Sequence, residues 1–139
     1  MDVKSREEII KFAQKLNSSN LSPLRSGNIS LRTQNSSNEE GFLITPSGKK
    51  YDSLKADDIV FVSLKGKYDE KGLQPSSEWR FHKDIYLNKT DAKAVVHAHS
   101  PHATAVSAHN KDIPAFHYMI ALAGGDNIKC AKYATFGTQ

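Results

Sequence analysis

The sequence predicts an α/β fold in which helices pack against a β-sheet. Apolar residues recur at helical spacing near the N-terminus and again after residue 76, whereas short segments rich in apolar and β-branched residues lie between and beyond these two regions. Gly, Pro, Asn and Ser separate the segments, as turns require. Helices that alternate with strands form layered domains, and for a chain of 139 residues we expect one domain, residues 1–139.

The N-terminal half is predicted to contain a helix followed by strands. Ser5 and Glu8 have the spacing of a capping box, and the residues that follow place an apolar stripe on one helix face: Ile9, Phe12, Ala13 and Leu16. We expect strands at residues 29–31, 41–45 and 59–64. The polar run at residues 34–40 predicts a hairpin tip between the first two strands.

The C-terminal half is predicted to add further helices and strands. One further segment is expected to end at the glycine pair Gly124 and Gly125. The strands are expected at residues 92–99 and 127–134. The first helix is expected from Ser76 and Ser77 to about Leu87. The second is expected after Ser100 as its cap, with Pro101 at the first position, where the missing N–H of proline costs nothing.

The composition favours a cytoplasmic protein that binds neither nucleic acid nor membranes. The net charge is +4, but the basic residues are scattered among acidic ones and form no stripe that could track phosphates. No apolar run approaches the roughly 20 residues that a membrane span needs. Cys130 is the only cysteine, so an internal disulfide cannot form. We therefore expect a reducing compartment, the cytoplasm.

Two histidines in the predicted strand 92–99 indicate a metal site. His97 and His99 are two residues apart, and side chains at that spacing project from the same face of a strand. Two imidazoles placed in this way can bind one zinc ion, which needs three or four ligands. The alternative is a strand end that carries histidines with no ligand role.

Glu78 is the candidate oxygen ligand beside these histidines. It falls in the first turn of the predicted helix, where the helix dipole and free amides stabilise a carboxylate. Such an acid can also serve only its own helix. His82 lies four residues further on the same face, and we expect it to be packed near Trp79 rather than bound to a metal.

Three short clusters of Gly, Ser and Asn are candidates for holding an anion. Glycine lets the backbone approach a ligand, and hydroxyls with backbone amides can hold a phosphate without lysine. Each cluster alone is more often a turn or a helix cap, and it is their recurrence beside the predicted metal site that favours anion binding. The clusters contain Gly27 and Asn28, Ser47 and Gly48, and Ser76 and Ser77.

Together these motifs resemble the class II aldolase/adducin family. The resemblance covers nearly the whole chain in order. It rests on Ser-Gly-Asn-Ile-Ser at 26–30, Leu-Ile-Thr-Pro-Ser-Gly at 43–48, Pro-Ser-Ser-Glu-Trp-Arg-Phe-His at 75–82, Ala-Val-Val-His-Ala-His at 94–99, Ile-Pro-Ala-Phe-His-Tyr-Met-Ile at 113–120 and Tyr-Ala-Thr-Phe-Gly-Thr at 133–138. Its last two segments are most like the family branch that cleaves L-fuculose 1-phosphate.

The resemblance implies a fold, a cofactor and a set of site residues. The fold is a three-layer α/β/α sandwich around a mostly antiparallel sheet. One Zn²⁺ per subunit is held by Glu78, His97 and His99. A tyrosine matching Tyr118 comes from a neighbouring subunit of a fourfold homotetramer. The phosphorylated sugar is held by positions that match Gly27, Asn28, Ser47, Gly48, Ser76 and Ser77.

The resemblance also implies that family members continue past residue 139. The continuing segment supplies a strand with a third zinc histidine. We expect a chain that ends at Gln139 to bind zinc weakly and to be far less active than a full-length homologue, with the phosphate-binding half intact.

The function implied is zinc-dependent aldol cleavage of L-fuculose 1-phosphate, or a similar ketose 1-phosphate, to dihydroxyacetone phosphate and lactaldehyde. Glu78 would move the proton at the enediolate carbon, and Tyr118 would protonate or orient the aldehyde oxygen. One alternative is ribulose-phosphate 4-epimerase, a branch that tends to carry Asp at the position of Glu78. A second alternative is a non-catalytic scaffold like adducin, in which the fold persists without the metal.

Overall fold

Four antiparallel strands form the framework of the first unit in the computed structural model, which describes residues 3–23 and 26–135. The chain divides into two units, residues 1–98 and residues 99–139. The strands are β1 (Asn28–Gln34), β2 (Glu40–Ile44), β3 (Val60–Ser63) and β4 (Ala94–His97), in the spatial order β3-β2-β1-β4. Every neighbouring pair is antiparallel, as the resemblance implied.

Helices cover both faces of this sheet, because alternate residues of a strand point to opposite sides. The first helix, α1 (Val3–Ser18), packs Ile9 and Ala13 against Leu43 of β2. The second helix, α2 (Trp79–Asn88), packs Tyr86 against Phe42 and Ile44, the two neighbours of Leu43. The prediction of an α/β/α sandwich is thereby confirmed in this unit. No helix in the described ranges has the length and apolar content that a membrane span requires.

The loop between β1 and β2 is the predicted hairpin tip. The Asn35 side chain closes it, since its Oδ1 accepts hydrogen bonds from the backbone amides of Ser37 at 2.9 Å and Glu39 at 3.0 Å. Asn38 has a φ of 57°, a left-handed conformation that Asn tolerates better than most residues. Local side-chain chemistry therefore sets the register of the two strands.

The second unit contains α3 (Pro101–Ser107) and a 3₁₀ helix at Tyr118–Ala123. The helix at Pro101 and the stop at Gly124, whose φ is 85°, agree with the sequence. The prediction of a strand at residues 127–134 is wrong. Ile128 exchanges backbone hydrogen bonds of 2.9 and 3.0 Å with Ile113, but the amide of Cys130 then donates to the Asp112 carboxylate at 2.7 Å, which ends the pairing. Residues 136–138 of the last family motif lie outside the described residues.

Element boundaries differ from the sequence prediction at three functional positions. α1 begins at Val3, so Ser5 lies inside the helix and is not its cap. α2 begins at Trp79, which makes Glu78 the N-cap residue instead of a first-turn residue. β4 ends at His97, so His99 is not part of the strand.

The core between α1 and the sheet should depend on Leu43, whose side chain is fully buried. We expect Leu43→Ala to lower the free energy of unfolding by about 2–5 kcal/mol, because it removes buried methyl groups and leaves a cavity. Leu87→Ala is the matched control, since Leu87 is 50% exposed on α2, and it should cost less than about 1 kcal/mol. Urea unfolding measures both values, and equal losses would contradict this assignment of the core.

Candidate active site

A carboxylate and an imidazole meet where β4 ends and α2 begins. Glu78 precedes the first residue of α2, and His97 is the last residue of β4. Their side chains are only about one quarter exposed, and Glu78 Oε2 lies 3.3 Å from His97 Nε2. Two of the three predicted metal ligands are therefore adjacent in the first unit.

The Glu78 side chain does not cap its own helix. Its side chain makes no capping hydrogen bond to the first amides of α2, although it occupies the N-cap position. Instead, Oε2 accepts a hydrogen bond of 2.6 Å from Asn28 Nδ2, at the start of β1. The carboxylate is thus directed to the strand ends, which argues against the interpretation as an acid that serves only to cap its helix.

His82 is a packed histidine, as expected, and both of its ring nitrogens are occupied. Nδ1 lies 2.7 Å from Ser30 Oγ, and Nε2 lies 2.5 Å from Asn28 Oδ1. The ring is fully buried and stacks against Phe81 with 4.6 Å between ring centroids. Burial, and then the nearby His97, lower the pKa of His82 to about 3. The side chain is therefore neutral, and the hydrogen bonds at both ring nitrogens argue against a role as a metal ligand.

The three polar segments lie side by side in the first unit. The amide of Thr45 donates to the carbonyl of Ile29 at 3.1 Å, and the amide of Ser76 donates to the carbonyl of Thr45 at 3.0 Å. The amide of Ser47 donates to the carbonyl of Gln74 at 2.9 Å. These bonds place the segments that contain residues 27–28, 47–48 and 76–77 next to one another and next to Glu78. Gly27, Asn28 and Ser76 are buried, whereas Ser47, Gly48 and Ser77 are exposed.

Gly27 is required by the close packing at this end of the sheet. Its φ is 80°, and a Cβ at this position would overlap Ser22 Oγ and approach the carbonyl oxygen of His97 to 2.7 Å. Its own carbonyl accepts a 2.5 Å hydrogen bond from the Tyr51 hydroxyl. Burial raises the pKa of Tyr51, so this hydroxyl stays protonated as a donor.

The remaining predicted site residues belong to the second unit. His99 lies in the segment that leads to α3, and Tyr118 opens the 3₁₀ helix with 79% of its surface exposed. Within residues 3–23 and 26–135, no three His, Cys, Asp or Glu side chains are grouped as a metal site would need. The structure therefore groups Glu78 with His97 in the first unit, and His99 as a third ligand stays a prediction.

Sequence analysis missed the polar contacts between β1 and α2. Asn28 was assigned only to the substrate, and Ser30 was given no role. A signal was present, because Asn28, Ser30 and Arg32 alternate with the apolar residues Ile29 and Leu31. A buried strand with one polar face predicts a polar partner on the element that covers it.

Comparisons with known proteins identify the relatives of this chain. Residues 7–139 match the family "Class II Aldolase and Adducin N-terminal domain". An L-fuculose phosphate aldolase of Escherichia coli (strain K12) is 55% identical over 113 residues, which are 81% of this chain and 50% of that protein. A 5-methylthioribulose-1-phosphate/5-deoxyribulose-1-phosphate aldolase of Escherichia coli O45:K1 (strain S88 / ExPEC) is 45% identical over 136 residues, 98% of this chain and 61% of that protein.

A solved structure of an L-fuculose 1-phosphate aldolase superposes on the whole chain. The TM-score is 0.89 at 35% identity, and the match covers 100% of this chain and 64% of that one. The chain thus spans about half to two thirds of the length of these relatives. The antiparallel sheet and its helices are shared with this structure.

Buried neutral His82 should make stability depend on pH. In the unfolded chain this histidine takes up a proton near pH 6.5, whereas in the folded chain it does so only near pH 3. Between these values acid favours the unfolded state, so His82 lowers the free energy of unfolding by up to about 1.4 kcal/mol per pH unit as the pH falls. Above pH 6.5 the contribution is constant.

We therefore expect the free energy of unfolding of the wild type to fall relative to that of His82→Gln from pH 7 to pH 4.5, because Gln does not titrate. Urea unfolding of both proteins at several pH values measures this difference. His109→Gln is the control, since this exposed side chain should affect stability little at any of these pH values. A difference that is constant with pH would show that folding does not lower the pKa of His82.

Proposed function

The chain belongs to the class II aldolase and adducin family, and we propose that it acts in the metal-dependent aldol cleavage of a ketose 1-phosphate. The observation that carries this proposal is the pairing of Glu78 with His97 at 3.3 Å, with Glu78 directed away from its own helix. This pair stands beside the polar segments around residues 27, 47 and 76. A reactive carboxylate next to an anion site suits a substrate that carries both a phosphate and a carbonyl.

The substrate we propose is L-fuculose 1-phosphate, cleaved to dihydroxyacetone phosphate and lactaldehyde. The relative named for this substrate, at 55% identity, supports it. The relative named for 5-methylthioribulose 1-phosphate and 5-deoxyribulose 1-phosphate, at 45% identity, supports these ketoses as the second choice. All three sugars carry the phosphate on C1 and differ at the other end, so one phosphate site suits each of them.

The phosphate is proposed to be held by backbone amides and hydroxyls. Gly27, Gly48 and Ser77 lie on three adjoining segments, and glycine lets the backbone approach a ligand closely. Ser76 and Ser77 precede the N-terminus of α2, where the helix dipole favours negative charge. Asn28 and Ser47 complete the set that we propose for the phosphorylated end of the sugar.

The metal is proposed to be held by Glu78, His97 and His99. Carboxylate oxygen and imidazole nitrogen are donors that zinc accepts, and Glu78 Oε2 and His97 Nε2 already face each other. When bound, the ion supplies Lewis-acid stabilisation of the negative charge that develops when the carbon–carbon bond breaks. The Glu78 side chain accepts no capping hydrogen bond from the first amides of α2 that would compete with this role.

Glu78 is proposed to move the proton that the reaction requires. Cleavage between C3 and C4 leaves the electron pair in an enediolate across C2 and C3, and C3 must gain a proton to give dihydroxyacetone phosphate. We propose that the substrate displaces Glu78 from the metal, so that the released side chain can donate this proton as general acid and remove it as a carboxylate in the reverse direction. The C4 hydroxyl loses its proton as it becomes the aldehyde, and the aldehyde oxygen regains one in the reverse direction. Tyr118 from a neighbouring subunit of a homotetramer is proposed to accept and return this proton, and its 79% exposure supports that role.

The alternatives lead to different measurements. An epimerase acting on ribulose 5-phosphate would use the same enediolate chemistry, but that branch tends to carry Asp where this chain has Glu78. A scaffold would need no metal, whereas the adjacency of Glu78 and His97 supports a metal site. The cytoplasmic location is likewise still a prediction.

Glu78→Gln, made in the protein that carries this chain, should lower kcat for aldol cleavage by at least about 100-fold, because an amide cannot transfer the proton. Glu70→Gln is the control, since Glu70 is exposed and should keep wild-type activity. The assay compares L-fuculose 1-phosphate, 5-deoxyribulose 1-phosphate and ribulose 5-phosphate. Near-normal turnover by Glu78→Gln would refute its role, and selective turnover of ribulose 5-phosphate would identify an epimerase.

The purified protein should contain about one zinc ion per chain, as expected for a single site with N and O ligands. His97→Ala should reduce that content strongly, because it removes one ligand, whereas His109→Ala, an exposed histidine, should not. Elemental analysis before and after treatment with a chelator measures both. A protein that binds no zinc in any of these preparations would favour the scaffold.

A further inference from the structure

A continuous line of hydrogen bonds runs through the first unit from Tyr86 to Glu78. The Tyr86 hydroxyl lies 2.8 Å from Ser30 Oγ, which lies 2.7 Å from His82 Nδ1. His82 Nε2 lies 2.5 Å from Asn28 Oδ1, and Asn28 Nδ2 lies 2.6 Å from Glu78 Oε2. We call these five side chains the Tyr86–Glu78 relay. Two of them stand on β1, two on α2 and one at its N-cap.

Glu78 sets the direction of every bond in the relay. An ionised carboxylate only accepts hydrogen bonds, so Asn28 must present its NH₂ group to Glu78 and its carbonyl oxygen to His82. His82 Nε2 must then carry the hydrogen, and a neutral ring leaves Nδ1 as an acceptor. It follows that Ser30 donates to His82 and that Tyr86 donates to Ser30. With Asn28 turned over, its carbonyl oxygen would face the Glu78 carboxylate and repel it.

The relay is shielded from water, which makes its direction stable. Ser30, His82 and Tyr86 are fully buried, and Asn28 is 3% exposed. Hydrogen bonds are stronger in such surroundings, and an unsatisfied member would be costly. The pKa of His82, lowered to about 3 by burial and by His97, keeps the ring neutral. The ring therefore holds the same donor and acceptor arrangement throughout the neutral pH range.

Packing alone does not require these polar groups. On the neighbouring strands β2 and β3 the same face carries the apolar residues Phe42, Ile44, Val60 and Val62, and Tyr86 packs against Phe42, with 5.2 Å between ring centroids. Apolar residues at positions 30 and 82 would continue that core. The polar line ends instead on the one carboxylate to which we assign proton transfer.

We propose that Asn28, Ser30, His82 and Tyr86 are positioning residues that hold the Glu78 carboxylate for proton transfer. The proposal rests on the function proposed above for Glu78. The contacts from Asn28 and His97 are both made to Oε2, and they fix the orientation of the carboxylate at the end of β1. Without the ordered bond from His82, the Asn28 amide can turn over, and Glu78 loses its orientation.

The test compares two replacements of His82 in the intact protein. His82→Leu fills the space but offers neither donor nor acceptor, whereas the amide of His82→Gln offers one of each. We expect kcat to fall about 10–100-fold for Leu, the usual loss when a partner of a site residue is removed. The KM should change less than kcat, because Asn28 is the one member of the proposed phosphate set that contacts His82. The Gln variant should recover most of the kcat.

Val62→Ala is the control for a purely structural effect. Val62 is fully buried in the same apolar cluster, so this change should destabilise the core while kcat stays near the wild-type value. A kcat that is unchanged in His82→Leu, or lowered equally by Leu, Gln and Val62→Ala, would overturn the relay. If the wild type cleaves none of the sugars, or Glu78→Gln stays active, it is the proposed function that fails.

A spectroscopic measurement on the wild type needs no variant and no activity. Nitrogen-15 NMR of the ring of His82 at pH 7 distinguishes its tautomers. The relay requires the hydrogen on Nε2 and a bare, hydrogen-bonded Nδ1. A hydrogen on Nδ1, or on both nitrogens, would contradict the direction we derive, even if the Leu variant fails to fold.

Discussion

The candidate site depends on the match between alternate residues of β1 and one face of α2. Two residues of a strand advance about 6.8 Å, and four residues of a helix advance about 6.0 Å. A strand and a helix that run in the same direction can therefore keep in step for several contacts. Asn28 meets Glu78, Ser30 meets His82 and Tyr86, and Arg32 meets the carbonyls at the far end of α2. This register places the Glu78 carboxylate at the end of β1.

Charge at the two ends of α2 supports the same register. The Glu78 carboxylate stands at the N-terminal end, where the helix dipole is positive, and Arg32 stands at the C-terminal end, where it is negative. Arg32 Nε donates to the carbonyl of Ala92 at 3.0 Å, Nη2 donates to the carbonyl of Tyr86, and the guanidinium lies 5.0 Å from the centre of the Tyr86 ring. Charges of opposite sign at the two ends fix the direction and position of the helix on the sheet.

The sequence predicts what local patterns determine, and it fails where distant residues decide. The hairpin at residues 34–40 could be predicted because Asn35 closes it within its own segment. The strand at 127–134 could not be excluded, since the carboxylate of Asp112, 18 residues earlier, takes the amide of Cys130. The role of His82 was likewise hidden, because its partners Asn28 and Ser30 lie more than 50 residues away in the chain. The family motifs predicted Glu78 and His97 as site residues, but they did not predict that Asn28 hydrogen-bonds Glu78.

The polar residues of the relay are explained by function and not by the stability of the fold. Burying a polar group is costly when it loses its hydrogen-bond partner, whereas replacing both partners by well-packed apolar groups can be neutral or stabilising. The apolar cluster around Phe42, Val62 and Val95 shows that this side of the sheet can be packed without polar groups. Nothing in the stability of the fold therefore requires a histidine at position 82. A histidine in that place is explained by the orientation of the carboxylate at the end of the line, because only the site gains from a bond with a fixed direction.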